Sequence, residues 1–375
     1  MFIGFVLCGM ATVLLGPVLP TMSERWRIAD AQAGLLFTAQ FLGSTLTSIL
    51  TPWRLRLSLV SGYGLLAAGF ITLAFADYAS SVVAFALIGL GIGLSVTATN
   101  LLVGSLDAER RATLLTRSNF FWGVGAVACA PLVGLAERVH HMRLFLLLSA
   151  AALAAIGLIL SPLLLVPDTE SAPSQDERID GFRQRVSPPV SLFLLFAVIL
   201  FLYVGAENSV GGWVAVYSHR FLNMPTARAS LAALIFWLSL VAGRGIASVL
   251  LRRVTETAML LPAALLAIAG TLLLLLYNGT TLVFIAIAVA GLGCGPIFPL
   301  LMSRLFARSG TSRHTGWVFA VSGSGGAVLP WLTGLISTQT GSLRTGFAVP
   351  LAALAVILLF ALLGRRTSHR KETVY

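Results

Sequence analysis

Gly89-Leu90-Gly91-Ile92-Gly93 and Gly291-Leu292-Gly293-Cys294-Gly295 are one short pattern written twice, 202 residues apart. Each lies inside an apolar run long enough to cross a bilayer, where glycine lets helices pack closely. Two further pairs keep nearly the same spacing. Gly123, Gly125 and Gly134-Leu135 match Gly323, Gly325 and Gly334-Leu335, an offset of 200. Gly9 and Gly16 match Gly205 and Gly212, an offset of 196. Matches that keep their order along the chain at one spacing indicate a duplicated unit of about half the chain.

Working outward from these segments gives twelve apolar stretches, at 2–22, 33–53, 59–76, 81–105, 112–136 and 143–166, then 191–217, 228–251, 258–277, 281–306, 314–338 and 343–364. Several reach the ~18 apolar residues that mark a spanning helix. Composition agrees: 57% of the 375 residues are hydrophobic and 10% charged, whereas a water-facing domain carries about 25% charged residues. The expected fold class is an all-α integral membrane protein with twelve transmembrane helices in two pseudo-symmetric six-helix bundles. The first bundle is 1–166. The stretch 167–190, rich in Pro, Ser and charge, reads as a solvated cytoplasmic linker. The second bundle is 191–375, ending in a short basic tail. The chain opens directly into the apolar run Phe2 to Leu19, with no basic segment or cleavage site of a signal peptide, so this run is read as helix 1.

The net charge of +11 would suit nucleic acid if it were clustered, but the basic residues punctuate apolar segments and form no stripe. Their distribution is a topology signal instead. With the N-terminus inside, the inner loops hold sixteen basic residues and the outer loops seven, which places both termini in the cytoplasm. Cys8, Cys129 and Cys294 fall within apolar runs without metal-ligand spacing and read as packing residues. No phosphate-binding loop, catalytic triad or metal cluster is present in the sequence. An enzymatic role therefore has no supporting constellation, no cofactor is implied, and the energy for any work must come from a gradient.

Glu207 is the one acid deep inside a span. A carboxylate there is costly unless neutralised, paired or hydrated, which makes it a functional candidate for proton coupling or substrate binding. Asn208 adjoins it, about 100° around the helix. Asn119, Gln40 and Asn100 are the other amides within spans. Each offers a donor and an acceptor suited to sugar hydroxyls, with helix–helix bonding as the plain alternative. Trp122 lies one turn beyond Asn119, and Trp213 six residues beyond Glu207. Both are candidates for stacking on a substrate or for anchoring at the membrane interface. Arg117, one turn into helix 5, snorkels to the inner surface or attracts an anion. Arg244, after Gly243, suits an inner gate.

The stretch Tyr203-Val-Gly-Ala-Glu-Asn-Ser-Val-Gly-Gly-Trp213, with Tyr217 following, resembles the major facilitator superfamily. More narrowly it resembles the branch of fucose, galactose and glucose symporters. Gly16-Pro17-Val18-Leu19-Pro20, Gln32 through Gly43, Asn119 through Ala126 with Pro131, and Gly243-Arg244 support the same likeness. The loop after helix 2, Thr51-Pro52-Trp53-Arg54-Leu55-Arg56-Leu57, departs from the pattern by lacking an acid. The resemblance implies a secondary active transporter of a small polar solute, a sugar, by proton symport with alternating access; sodium remains an alternative ion. The partners implied are the solute, protons and a bilayer, for a monomer in a bacterial inner membrane. A drug or organic-anion exporter on the same fold is the competing expectation.

Overall fold

The computed structural model describes residues 2–51, 54–106, 111–165, 189–277, 279–309 and 314–372. These form α1 (Phe2–Val13), α2 (Leu15–Trp26), α3 (Asp30–Leu50), α4 (Leu55–Ala74), α5 (Tyr78–Leu106), α6 (Arg111–Arg138) and α7 (Met142–Leu160). There follow α8 (Val190–Phe221), α9 (Thr226–Leu250), α10 (Glu256–Leu276), α11 (Thr280–Ser309), α12 (His314–Thr340), α13 (Leu343–Gly346) and α14 (Ala348–Glu372). With α1–α2 and α13–α14 each taken as one broken rod, the long helical segments follow the twelve expected stretches. Among the described residues nine, or ten with α1–α2 counted as one, are long and apolar enough to cross a membrane. The Ser-, Thr- and Gly-rich α3 and α12 are of spanning length but are not among these apolar helices. The expected linker, 167–190, lies almost wholly outside the described residues.

Helix 1 is not the single rod expected from 2 to 22. It bends by 42° at Leu14 and runs on to Trp26. Pro17 is the cause, since it has no N–H for the Val13 carbonyl and its ring crowds that oxygen. Pro350 stands at the same third position of α14, after the break at Phe347.

Packing repeats with the sequence. In the first half α1 packs on α6, α3 and α4 on α5, and α4 on α7. In the second, α8 packs on α12, α9 and α10 on α11, and α10 on α14. The halves meet through α3 against α12, α6 against α9, and α2 against α8 and α9. The glycine pattern is the physical reason. A Cβ on Gly89 would sit 1.9 Å from the Gln40 carbonyl of α3, and one on Gly91 2.7 Å from the Gly62 carbonyl of α4. Their counterparts repeat the geometry: a Cβ on Gly291 would sit 2.5 Å from the Phe236 carbonyl of α9, and one on Gly293 2.2 Å from the Ala267 nitrogen of α10. Alternate glycines thus seat α5 and α11 each between two neighbours, at distances no side chain permits.

Leu148, Leu158, Leu194 and Leu359 are exposed around the outside, as a lipid-facing surface requires. The three cysteines are buried and unpaired.

Candidate functional site

Tyr203 and Glu207 stand four residues apart on α8 and share one face. Both are buried, at 0% and 9% exposure. The Tyr203 hydroxyl is hydrogen-bonded to Glu207 Oε2 and lies 2.8 Å from the Cys294 carbonyl of α11. Arg244 of α9 brings a guanidinium nitrogen to 3.8 Å from Glu207 Oε2 and donates from Nε to the Gly295 carbonyl at 3.2 Å. That carbonyl is available because Pro299, four residues on, has no N–H to donate to it. Arg244 reaches it because glycines bring the helices together. A Cβ on Gly295 would meet the Leu240 carbonyl at 2.3 Å, and one on Gly243 the Leu292 carbonyl at 2.4 Å. Sequence thereby sets backbone spacing, and backbone spacing sets the polar cluster.

The cluster lies in the seam of α8, α9 and α11, inside the second half. The carboxyl is turned neither to lipid nor across the boundary toward α1–α7. Arg244, with its side chain 35% exposed, is the member of the cluster that reaches the surface. In water a pair at 3.8 Å is weak, but burial strengthens it severalfold.

The other candidates divide. Gln40 is buried and donates from Nε2 to the Thr12 carbonyl at 2.8 Å, while its Oε1 has no partner among the described residues. Trp122 donates from Nε1 to Thr12 Oγ1 at 3.4 Å and meets Trp237 of α9 edge-on, ring centres 6.5 Å apart. Gln40, Thr12 and Trp122 therefore form a second polar group in the first half, with Trp237 closing the boundary beside it. Asn208 bonds its own helix at the Val204 carbonyl, 2.8 Å away. Trp213 is wholly buried, donating to the Pro330 carbonyl at 3.0 Å and packing on Phe37. It serves the contact between halves. Asn119 and Arg117 are exposed on α6 toward the end that bears the termini. Asn100 is half-buried in α5, its Oδ1 without a partner among the described residues, apart from the Glu207 cluster.

Ion pairs across the boundary gather at the far end, away from the termini. Arg220 of α8 grips both carboxylate oxygens of Asp30 on α3, at 2.8 and 2.7 Å, and Ser337 of α12 donates to the same acid at 2.5 Å. The Ala31 N–H reaches Thr338 at 2.8 Å, and His219 Nε2 stands 2.6 Å from Glu24. Contact between halves continues inward to Gly323 beside Thr45 and Gly123 beside Val241. Beyond that level Asn119, Ala242 and Trp317 are exposed. The far end is sealed.

Twelve helical segments in two like halves, with a buried acid between three of them, now stand beside a direct comparison. The family model described as Major Facilitator Superfamily matches residues 1–314. The chain belongs to that superfamily. Family and fold alike mark a multi-pass membrane transporter rather than an enzyme. Among its relatives, "Bypass of stop codon protein 6" of Saccharomyces cerevisiae is 28% identical over 96% of this chain and 79% of its own length. A "Putative glucose/galactose transporter" of Helicobacter pylori is 23% identical over 96% of this chain and 94% of its own. A crystal structure of the E. coli fucose:proton symporter superposes with a TM-score of 0.63 at 19% identity, covering 96% of this chain and 97% of that one. Within the superfamily fold, Tyr203 and the Cys294 carbonyl are the site members that sequence reasoning missed as chemistry. The signal for the first was its place four residues before Glu207; the Gly295–Pro299 interval pointed to the second.

Proposed function

We propose that the protein carries a small polar solute, a sugar, across a bacterial inner membrane by proton-coupled symport. The observation that carries this reading is the buried Glu207 carboxyl, held by Tyr203 and faced loosely by Arg244 in the middle of α8. A buried acid so placed exchanges a proton at modest cost, because Arg244 supports the charged form while burial supports the neutral one. Sodium fits less well, since a guanidinium at 3.8 Å opposes a second cation and the cluster lacks the oxygen cage that a metal ion requires. The glucose/galactose and fucose relatives support a sugar as the solute.

The halves, 1–166 and 191–375, rock about the contacts of α3 with α12 and α6 with α9, exposing the region between them alternately to each side. Arginine in the loops on the termini side puts both termini in the cytoplasm. In that orientation the Asp30–Arg220 end faces outward and the molecule is open inward. Gln40, Trp122, Asn119 and Asn208 supply polar and aromatic contacts to the solute; Arg244, with Arg117 nearer the surface, controls entry from the cytoplasm.

The test is uptake of labelled galactose, glucose or fucose by proteoliposomes under an imposed pH gradient, with a sodium gradient as a parallel arm. Accumulation that follows the proton gradient and disappears in Glu207→Gln supports the reading. Accumulation unchanged in Glu207→Gln refutes it. Outward exchange of an organic anion would identify the exporter instead.

A further inference from the structure

Tyr203 has one hydroxyl proton and two acceptors within reach. Cys294 presents a carbonyl oxygen, which never donates, so this tie between α8 and α11 exists only when the tyrosine points its proton at α11. The contact with Glu207 Oε2 then needs its own proton, and only a protonated carboxyl supplies one. With Glu207 ionised, the single hydroxyl proton turns to the carboxylate, because a charged acceptor makes the stronger bond. The Cys294 carbonyl is then left without that donor. Two arrangements follow, one for each protonation state.

We propose that Tyr203 is the positioning residue that turns protonation of Glu207 into attachment or release of α11. The inference rests on the reading that Glu207 exchanges a proton. In the loaded state Glu207 donates to Tyr203, Tyr203 donates to Cys294, and Arg244 stays on the Gly295 carbonyl. The structure has the Arg244 distances of this state, 3.2 Å to Gly295 and 3.8 Å to Glu207. On release the Glu207 O–H bond breaks and its proton passes to water along the half-exposed side of Arg244. The Tyr203 hydroxyl rotates to the carboxylate, and the guanidinium closes on it, leaving Gly295. No other bond is made or broken.

The consequence falls on α11 at its weakest place. Pro296 and Pro299 already deprive the Leu292 and Gly295 carbonyls of helical donors, so this turn depends on outside ties. Losing Tyr203 and Arg244 together removes two of them. Among the described residues, the titratable groups facing Glu207 are Arg244 from α9, Cys294 from α11 and Tyr203 from α8 itself; α2, α12 and α14, which also pack on α8, bring none.

The experiment measures hydrogen exchange of the α11 amides at 295–303 against pH in detergent-solubilised protein, corrected for intrinsic exchange. An infrared carboxyl band, assigned by its loss in Glu207→Gln, reports Glu207 itself. In the wild type, protection falls by roughly tenfold as Glu207 ionises, the scale of two lost hydrogen bonds in a locally opening segment. In Tyr203→Phe the band still titrates, but protection loses at least half of that response, keeping only the part that comes through Arg244. Glu207→Gln, whose amide donates to Tyr203 at every pH, stays protected throughout and serves if the phenylalanine variant does not fold. Protection in Tyr203→Phe that follows Glu207 as in the wild type overturns the relay, as does pH-dependent protection in Glu207→Gln. A wild-type band that never titrates sinks the proton reading itself, a separate and recognisable failure.

Discussion

Asp30→Asn isolates the seal at the far end. The acid is 6% exposed and receives both guanidinium nitrogens of Arg220 as well as the Ser337 hydroxyl. Breaking a fully buried pair costs about 3–5 kcal/mol, whereas an exposed pair contributes about 1 kcal/mol or less. Arg220 is 39% exposed, so solvent screens part of the attraction. Asparagine also keeps a hydrogen-bond acceptor for Arg220 and Ser337. The loss is therefore about 1–2 kcal/mol. Because Asp30 lies on α3 and its partners on α8 and α12, the loss falls on the sealed arrangement alone. The ratio of far-end-open to sealed molecules should rise roughly 5- to 30-fold. Spin labels at Arg138 and Arg228, exposed on the facing ends of α6 and α9, would read this as growth of a longer-distance population. An unchanged distance distribution in a folded Asp30→Asn protein would refute the argument that this pair holds the halves together.

Other outcomes follow from the same coordinates. Gly325→Ala puts a Cβ 2.0 Å from the Phe201 carbonyl, forcing α12 off α8. Its thermal unfolding should reveal a loss of about 3 kcal/mol or more. Gly64→Ala, with nothing within 4 Å of the new Cβ, is the matched control and should gain about 0.5–1 kcal/mol from helix propensity. Equal melting temperatures for the two would remove the packing account of the glycines. Asp77, in the short turn before α5, accepts from the Ser80 N–H at 2.8 Å and from the Ser80 hydroxyl at 2.5 Å, and these bonds hold its carboxyl below the usual carboxylate range. A depressed acid contributes stability above its unfolded value, lost as pH falls through the folded one. Hydrogen exchange in the first turn of α5 should therefore rise in acid in the wild type and become insensitive to pH in Asp77→Asn.

Much of the fold was legible because lipid imposes a simple rule on sequence. Every spanning segment must be apolar and helical, so twelve stretches and a repeat of glycines lead to two like bundles. The bend at Leu14 was also readable in principle, since Pro17 stands on the page; length and hydropathy alone pass over it. The candidate site was legible in part. Glu207 stood out because an acid in a span is expensive, and Arg244 because a cation after Gly243 suits an inner gate. Trp213 was a candidate for stacking or anchoring, and in the structure its indole donates to the Pro330 carbonyl and packs on Phe37. Tyr203 went unweighed because a tyrosine in an apolar helix is ordinary until its hydroxyl has named neighbours.

By itself, then, the sequence determined that this chain lies in a membrane, that it is doubled, and that one buried acid needs an explanation. Hydropathy and period are local quantities, readable residue by residue. Only the tertiary structure decided that the Glu207 carboxyl turns into the seam of α8, α9 and α11 instead of across the boundary between halves, and that Asp30 closes on Arg220 some 190 residues away. Direction around a helix and contact between distant segments depend on how whole helices pack, and no single stretch of sequence contains that.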